Sequence, residues 1–296
     1  MIQTINPTIK QVSRLKYLNT SNCKCLQSLP ELPCLPTLVA NGCPSLKTVS
    51  YPMTASTRDL NQRHSFCACI NLDENTRSNM MDDAWAAWLR IGRMATDHPL
   101  YGTVTLICPG TEIPKWFSCE KEGSSIKTKL PQHWSDDKNC LRFALSAVLP
   151  FYTAYSVTLQ CECNLTTNNE RSHQLTLFHS HCHKTRLDGL KDEHSDHLLM
   201  VYRSLSLPDT AKWSTQVSFD FSTKLDGQFI EVKSCGVRFL YVQGQDHDSL
   251  KFEVIDTEQA TSGIGTSSES ESGESETSSE YESNESETST WRAFFQ

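Results

Sequence analysis

The sequence of 296 residues lacks an apolar run that could cross a bilayer, which needs about 20 consecutive apolar residues. Residues 1–17 also lack the apolar core of a secretory signal, because polar residues interrupt them throughout. These absences predict no membrane partner and a reducing compartment, the cytoplasm or the nucleus. The thirteen cysteines, an odd number, fit free thiols better than complete pairing. We therefore expect no structural disulfides.

Basic residues are missing from the stretch 256–290, which holds ten Asp or Glu residues and no Lys or Arg. Removing these ten negative charges from the formal net charge of -8 leaves the rest of the chain near +2. Such a balance predicts no basic face for phosphate backbones, and hence no nucleic-acid partner. Residues 256–296, rich in Ser, Thr and Glu, contain too few apolar side chains to fold. They are predicted to form a disordered acidic tail.

A repeat is present in the first fifty residues, which match themselves at an offset of 20. Both copies follow the pattern Leu-x-x-Leu-x-(small)-x-x-Cys-x-x-Leu, the template of a leucine-rich repeat, whose Cys points inward to bond the stacked backbone. The matched pairs include Leu15 with Leu35, Leu18 with Leu38, Cys23 with Cys43, and Leu26 with Leu46. One repeat cannot bury its own leucines, so neighbouring repeats stack. Residues 1–50 are therefore predicted to be terminal leucine-rich repeats.

The concave face of such repeats carries the side chains that alternate with the buried leucines. We expect protein contacts on this face. The candidate positions are Tyr17, Asn19, Ser21, Thr37, Val39 and Asn41. The stretches 184–193 and 243–249 are further candidates, because loops carry variable recognition on a rigid scaffold.

Residues 51–104 are predicted to be a connector with one helix over residues 80–94. Trp85 and Trp88 stand among good helix formers there. Asp82 and Asp83, near the expected start, would complement the helix dipole.

From residue 105 onward the apolar period changes to two, as in half-buried strands. Several short strands without intervening helices predict an antiparallel β-sandwich, jelly-roll or Ig-like, over residues 105–255. The fold class is thus mainly β: a short repeat end, then the sandwich, then the acidic tail. Trp116, Phe117 and Trp134 are predicted to fill the space between the sheets. Gly236 is predicted to allow a bend or bulge beside Cys235.

Two groups of motifs resemble one known family. Leu15-Lys16-Tyr17-Leu18, with Ser28-Leu29-Pro30-Glu31-Leu32-Pro33, is similar to the terminal repeats of plant TIR-type nucleotide-binding leucine-rich-repeat disease resistance proteins. Pro109-Gly110-Thr111-Glu112-Ile113-Pro114-Lys115-Trp116-Phe117 and Cys235-Gly236-Val237-Arg238-Phe239-Leu240-Tyr241 resemble their C-terminal jelly-roll/Ig-like domain, the C-JID. The resemblance covers roughly residues 12–243.

The resemblance implies a non-enzymatic recognition module of a plant intracellular immune receptor, which binds a pathogen effector or another partner protein in defence. The chain has no Gly-x-x-x-x-Gly-Lys-[Ser/Thr] phosphate loop and no TIR domain, so nucleotide exchange and NAD cleavage do not carry over. No cofactor and no catalytic residue are predicted, and an oligomer is expected only within a full receptor. An alternative is a truncated scaffold or decoy that regulates a full-length receptor.

A second alternative is a metal-binding or catalytic sandwich built on a cluster of histidines. The candidate ligands are His179, His181, Cys182 and His183. On a strand the three histidines would face one side, and imidazole and thiolate groups suit zinc. The same residues also fit a polar strand end that leads into the loop 184–193. We favour the interpretation as a polar strand end, so no metal site is predicted.

Overall fold

The computed structural model describes residues 2–50, 61–94, 103–130, 134, 140–152, 157–168, 172–182, 194–207 and 209–240. The predicted tail and the candidate loops 184–193 and 243–249 lie outside these ranges. Short 3-10 helices span Pro7–Gln11 and Asp209–Ala211, and the one α-helix of the described ranges, α1, spans Glu74–Met94. The strands are β1 (Tyr17–Asn19), β2 (Ser28–Leu29), β3 (Thr37–Val39), β4 (Thr48–Val49), β5 (Asn61–Ser65), β6 (Thr103–Pro109), β7 (Cys119–Glu122), β8 (Ser125–Lys129), β9 (Cys140–Tyr152), β10 (Val157–Thr167), β11 (Ser172–Cys182), β12 (His194–Ser206), β13 (Ser214–Leu225), β14 (Gln228–Ile230) and β15 (Ser234–Leu240).

An eight-stranded sheet joins the repeats to the sandwich, in the order β1-β3-β5-β6-β12-β9-β15-β7. Its first four strands are parallel, as stacked repeats require, and the others pair antiparallel. The seam is the parallel pair β5 and β6, which runs from Asn61 opposite Thr103 to Ser65 opposite Ile107. The fold is mainly β, as predicted, but the repeats and the sandwich share one hydrogen-bonded sheet.

The strand β5 belongs to a third repeat, which lies inside the stretch predicted to be a connector. His64 pairs with Leu38, so it occupies a leucine position. Its buried ring donates from Nε2 to the carbonyl oxygen of Leu35 at 3.1 Å. Cys69 and Leu72 then take the places of the second repeat's cysteine and leucine, 26 residues further along the chain.

A five-stranded sheet covers one face of the sandwich strands. Its order is β11-β10-β13-β14, and β8 also pairs with β13. Buried residues alternate along β10, which confirms the predicted period of two. Between the sheets lies an apolar core that includes Phe143, Phe151 and Phe219. Trp134 is in this core, as predicted, and its indole N–H donates to the carbonyl oxygen of Ser214 at 3.1 Å.

The opposite face of the eight-stranded sheet packs on a second core, formed by the repeat leucines and α1. Trp116 and Phe117 belong here, so their predicted place between the two sheets is wrong. Trp116 stacks on Phe117 and lies 4.5 Å from Trp85 of α1, measured between ring centroids. The Arg238 guanidinium covers Trp85 at 4.8 Å. The helix is thereby fixed to the outer face of the sheet.

The helix α1 begins six residues before the predicted start. Asp73 caps it, because its Oδ1 accepts the backbone N–H of Thr76 at 2.6 Å. Asp82 and Asp83 therefore lie within the helix and do not act on its N-terminal dipole. The buried side of the helix repeats at helical spacing and includes Met80, Ala84, Ala87 and Trp88. No helix in the described ranges is both long and apolar enough to cross a membrane.

Gly236 lies in a regular part of β15, which pairs with β7 and β9 without a register shift. The bulge predicted there is wrong. A Cβ atom at this position would lie 3.1 Å from Cγ2 of Ile113 and 3.3 Å from the carbonyl oxygen of Cys119. A side chain at this position would therefore push its neighbours on the outer face of the sheet away by a few tenths of an ångström.

Candidate protein-contact surface

The turns that follow the repeat strands share one backbone conformation. Asn22, Gly42 and Ala68 stand at equivalent positions and have φ values of 63°, 67° and 57°. Backbone hydrogen bonds link these turns from repeat to repeat. The N–H of Asn22 donates to the carbonyl oxygen of Asn41, and the N–H of Gly42 donates to that of Cys67, each at 2.7 Å. These bonds fix the spacing of the strands that carry the surface.

Cysteine thiols form an inward ladder beneath these turns. Cys43 donates from Sγ to the carbonyl oxygen of Thr20 at 3.1 Å, and Cys69 to that of Ala40 at 2.8 Å. Burial raises the pKa of Cys69 well above its usual value, so this thiol keeps its proton and remains a donor. The ladder has the form predicted for the cysteines of stacked repeats.

The concave face of β1, β3, β5 and β6 forms a shelf of two rows, here called the ledge. Residues that pair directly across neighbouring strands lie on the same face of a sheet. The first row is Tyr17, Thr37, Arg63 and Thr105, and the second is Asn19, Val39, Ser65 and Ile107.

Solvent exposure falls along the ledge from β1 to β6. Tyr17 at the outer end is 56% exposed, and Thr37 is half-buried, whereas Ile107 at the inner end is only 5% exposed. The next residues on this face, Val201 and Leu199 of β12, are in the sandwich core. The ledge is therefore open at the repeats and closes where the second sheet covers it.

Four of the six predicted contact residues lie on the ledge: Tyr17, Asn19, Thr37 and Val39. At its outer end Asn19 donates from Nδ2 to the Tyr17 hydroxyl at 3.1 Å, which holds the two side chains together. Asn19 also accepts the backbone N–H of Ser21 at 2.9 Å. Ser21 and Asn41 lie in the turns that follow β1 and β3, so their predicted place on the concave strand face is wrong.

Asn41, the sixth predicted residue, lies in the equivalent turn of the second repeat. Its Oδ1 accepts the Ser65 hydroxyl at 2.8 Å and the backbone N–H of Cys67 at 2.9 Å. Its carbonyl group thus ties the second repeat to the third. A contact role for Asn41 would be restricted to its amide nitrogen.

The structure adds residues that the sequence did not single out. Arg63 stands beside Thr37 on the ledge. Arg203 of β12 lies opposite Thr103, two residues from Thr105, and donates from Nη1 to the Thr103 hydroxyl at 2.9 Å. Aligning the third repeat on its cysteine would have placed Arg63 on this face. No local pattern marks Arg203, which reaches the ledge through pairing between distant strands.

Residues 108–246 match the family model described as C-JID domain. The chain is 29% identical over 287 residues to the disease resistance protein RPP2B of Arabidopsis thaliana, covering 84% of this chain and 23% of that protein. It is 30% identical over 269 residues to the disease resistance protein RPS4 of the same plant, covering 81% of this chain and 21% of that protein. The chain is similar to the C-terminal portion of plant TIR-type disease resistance proteins. It spans less than a quarter of the length of these relatives.

A buried histidine joins the C-JID to the third repeat. His197 of β12 accepts the backbone N–H of Ala68 at Nε2, 2.9 Å away, and its Nδ1 lies 3.2 Å from the carbonyl oxygen of Ser195. Nδ1 therefore carries the proton. Burial lowers the pKa of His197 to about 4, so the ring is neutral at physiological pH. The neighbouring Asp196 forms an ion pair with Lys233, at 2.7 Å.

The histidine cluster cannot be assembled from the described side chains. His179, His181 and Cys182 stand on β11, whose backbone pairs with β10, but their side chains and all of His183 lie outside the described residues. Among the side chains that are described, no group of three or more His, Cys, Asp or Glu residues is placed to hold a metal. The zinc alternative stays an untested hypothesis.

Proposed function

We propose that this chain is a non-enzymatic recognition module of a plant immune receptor and that it binds a pathogen effector or a partner protein at the ledge. The observation that carries the proposal is the exposed sheet face headed by Tyr17, in a chain that is similar to the C-terminal portion of disease resistance proteins. The C-JID covers the inner end of this face and leaves the repeat end open.

The chemistry of the ledge favours binding. Tyr and Arg are enriched at the energetic centres of protein interfaces, and both are present. Val39 and Thr37 add half-buried apolar surface on a sheet that is already ordered, so little entropy would be lost on binding. Asn19 further restricts Tyr17 through its hydrogen bond.

The ledge residues do not favour turnover. The two rows of the ledge contain no His, Cys, Asp, Glu or Lys side chain, so they offer no general base to activate a nucleophile. Elsewhere in the described part of the fold, burial raises the pKa of Cys163 to about 12, so that thiol is not a nucleophilic thiolate.

A reducing compartment, the cytoplasm or the nucleus, is part of the proposal. Cys43 and Cys69 are free thiols that donate to backbone carbonyl groups, and oxidation of either one would remove a donor from the repeat core. A fluorescent fusion of the full chain, imaged in leaf cells, tests this; accumulation in the secretory pathway would contradict it.

The binding test compares two variants of the full chain. Thr37→Glu with Val39→Glu places two charges on the ledge, and Thr48→Glu places one on the exposed position of β4, away from it. Proteins captured from pathogen-challenged leaf tissue would be identified, purified and titrated individually against each variant. We expect the ledge variant to bind at least about tenfold more weakly, since a charge buried against apolar contacts costs over 1.4 kcal/mol. The Thr48 variant should bind like the wild type.

Equal affinities for all three proteins would contradict the ledge as the contact face. The identity of the captured protein also separates two forms of the proposal. A pathogen protein supports effector recognition, whereas a full-length receptor supports the scaffold or decoy alternative.

A further inference from the structure

Two arginines lie at the inner end of the ledge: Arg63 belongs to its first row, and Arg203 lies just beyond it on β12. Arg63 of β5 pairs with Thr105, and Arg203 of β12 pairs with Thr103. Thr103 and Thr105 are two residues apart on one strand, so all four side chains lie on the same face. The arginines therefore flank the threonine pair from the two sides of β6.

Sheet geometry sets the distance between them. Arg63 and Arg203 are separated by two strand spacings across the sheet and two residues along it, or about 12 Å between backbone positions. An extended chain covers about the same distance in four residues, and side chains four residues apart on a strand point to the same face. Two acidic side chains at that spacing in a partner strand could each meet one guanidinium group.

The charge of this face has one sign. The described positions of β1, β3, β5 and β6 that point to the ledge include no Asp or Glu. Burial lowers the pKa of Arg203, a half-buried residue that lies two positions along β12 from Val201 of the sandwich core. Attraction between unlike charges is stronger at such a partly dry site than in open water. Carboxylates are the matching ligands, because a guanidinium fork binds them with two parallel hydrogen bonds.

We propose that the ledge takes an extended acidic segment of a partner protein, with carboxylates four residues apart at Arg63 and Arg203. The rest of the segment lies along Thr37 and Val39 toward Tyr17. This inference rests on the proposed function and specifies the chemistry of the partner. A nucleic acid fits less well, because it needs many cations along its backbone and the remainder of this face is uncharged.

The test uses fluorescein-labelled decaglutamate, with decaglutamine and the oligonucleotide decathymidylate as matched probes, titrated against the full chain by fluorescence anisotropy. Decaglutamate should bind at low salt and decaglutamine should not. Arg63→Gln and Arg203→Gln should each weaken the binding about tenfold, as expected for loss of a hydrogen bond to a charged group. Lys121→Gln, which removes an exposed charge from β7 at the far edge of the sheet, should leave the affinity unchanged.

A conservative substitution at Arg203 serves as a control for misfolding of the variants. Arg203→Lys keeps the charge but not the planar fork, so it should bind decaglutamate with an affinity between those of the wild type and Arg203→Gln. Urea unfolding of each variant shows whether a lost affinity reflects a lost fold.

Three outcomes would overturn the inference: no binding of decaglutamate, equal binding by the arginine variants, or binding of decathymidylate as tight as that of decaglutamate. The captured partner separates this inference from the proposed function. If that partner is sensitive to the Thr37 and Val39 double variant but not to Arg63→Gln and Arg203→Gln, the ledge is the contact face and its acidic specificity is wrong.

Discussion

Acid should weaken the fold through His197, and the size of the effect follows from its surroundings. The ordinary pKa of a histidine is 6.5, and burial lowers that of His197 to about 4. Between these values the unfolded chain binds a proton that the folded chain does not. The contribution of His197 to the free energy of unfolding is therefore fully present above pH 6.5 and is lost as the pH decreases below that value. The loss is about 1.4 kcal/mol per pH step, or about 2 kcal/mol between pH 7 and pH 5.

One substitution removes the titrating group at position 197 but keeps its hydrogen bond to the Ala68 backbone. In His197→Gln the amide oxygen can still accept the Ala68 N–H, and the side chain does not titrate. Urea unfolding, followed by tryptophan fluorescence at pH 7, 6 and 5, gives the free energy of unfolding of both proteins. Asp196 is the acidic neighbour of His197, and it stays in both. His64, whose pKa is also lowered by burial, contributes equally to each.

We expect the wild type to lose about 2 kcal/mol more than His197→Gln between pH 7 and pH 5. The difference in the slopes isolates His197 from every other titrating group. If the two proteins lose the same stability over this range, a neutral His197 at the seam is refuted.

Three further predictions concern packing and thiols. Gly236→Ala should lower the free energy of unfolding by about 1–3 kcal/mol, because the added methyl group overpacks the outer face of the sheet; thermal unfolding checks this. Cys69→Ala should cost about 1–3 kcal/mol by leaving the Ala40 carbonyl without its donor, and Cys69→Ser, which can still donate, should cost less in the same urea assay. Iodoacetamide on the native protein should modify the exposed Cys34 and spare Cys163, whose thiol is buried with a pKa of about 12; mass spectrometry of the digest would show a modified Cys163 if this is wrong.

The sandwich strands could be predicted from sequence because burial acts on every second residue. In β10 the inward Val157, Leu159, Cys161 and Cys163 are all buried, and the intervening residues are half-buried. The first two repeats were detectable for a similar reason, since their leucines recur at one period. The spacing of apolar residues is sufficient to predict an element wherever the type of each residue reflects whether that position is buried.

The third repeat could not be predicted from the leucine pattern, because a polar residue, His64, occupies its leucine position. His64 is stable there only because the carbonyl oxygen of Leu35, 29 residues earlier, accepts its ring N–H. Such a partner is visible only in three dimensions. The longer spacing to Cys69 also broke the register that revealed the first two copies.

The inner half of the candidate site was unpredictable for a topological reason. Arg203 and Arg63 are far apart in the chain, and only the pairing of β12 with β6, and of β6 with β5, brings them to one face. Trp116 shows the same limit, because nothing in its neighbours distinguishes the outer face of the sheet from the interior of the sandwich. The apolar sequence pattern identifies a residue as buried, but the pairing of strands that are distant in the chain determines which residues it packs against.

The parallel seam between β5 and β6 has a mechanical consequence. Five residue pairs link the last repeat to the first sandwich strand, so a torque applied at one end passes through backbone amides to the other. The orientation of the C-JID relative to the last repeat is therefore held by the same kind of parallel backbone pairing that stacks the repeats on one another.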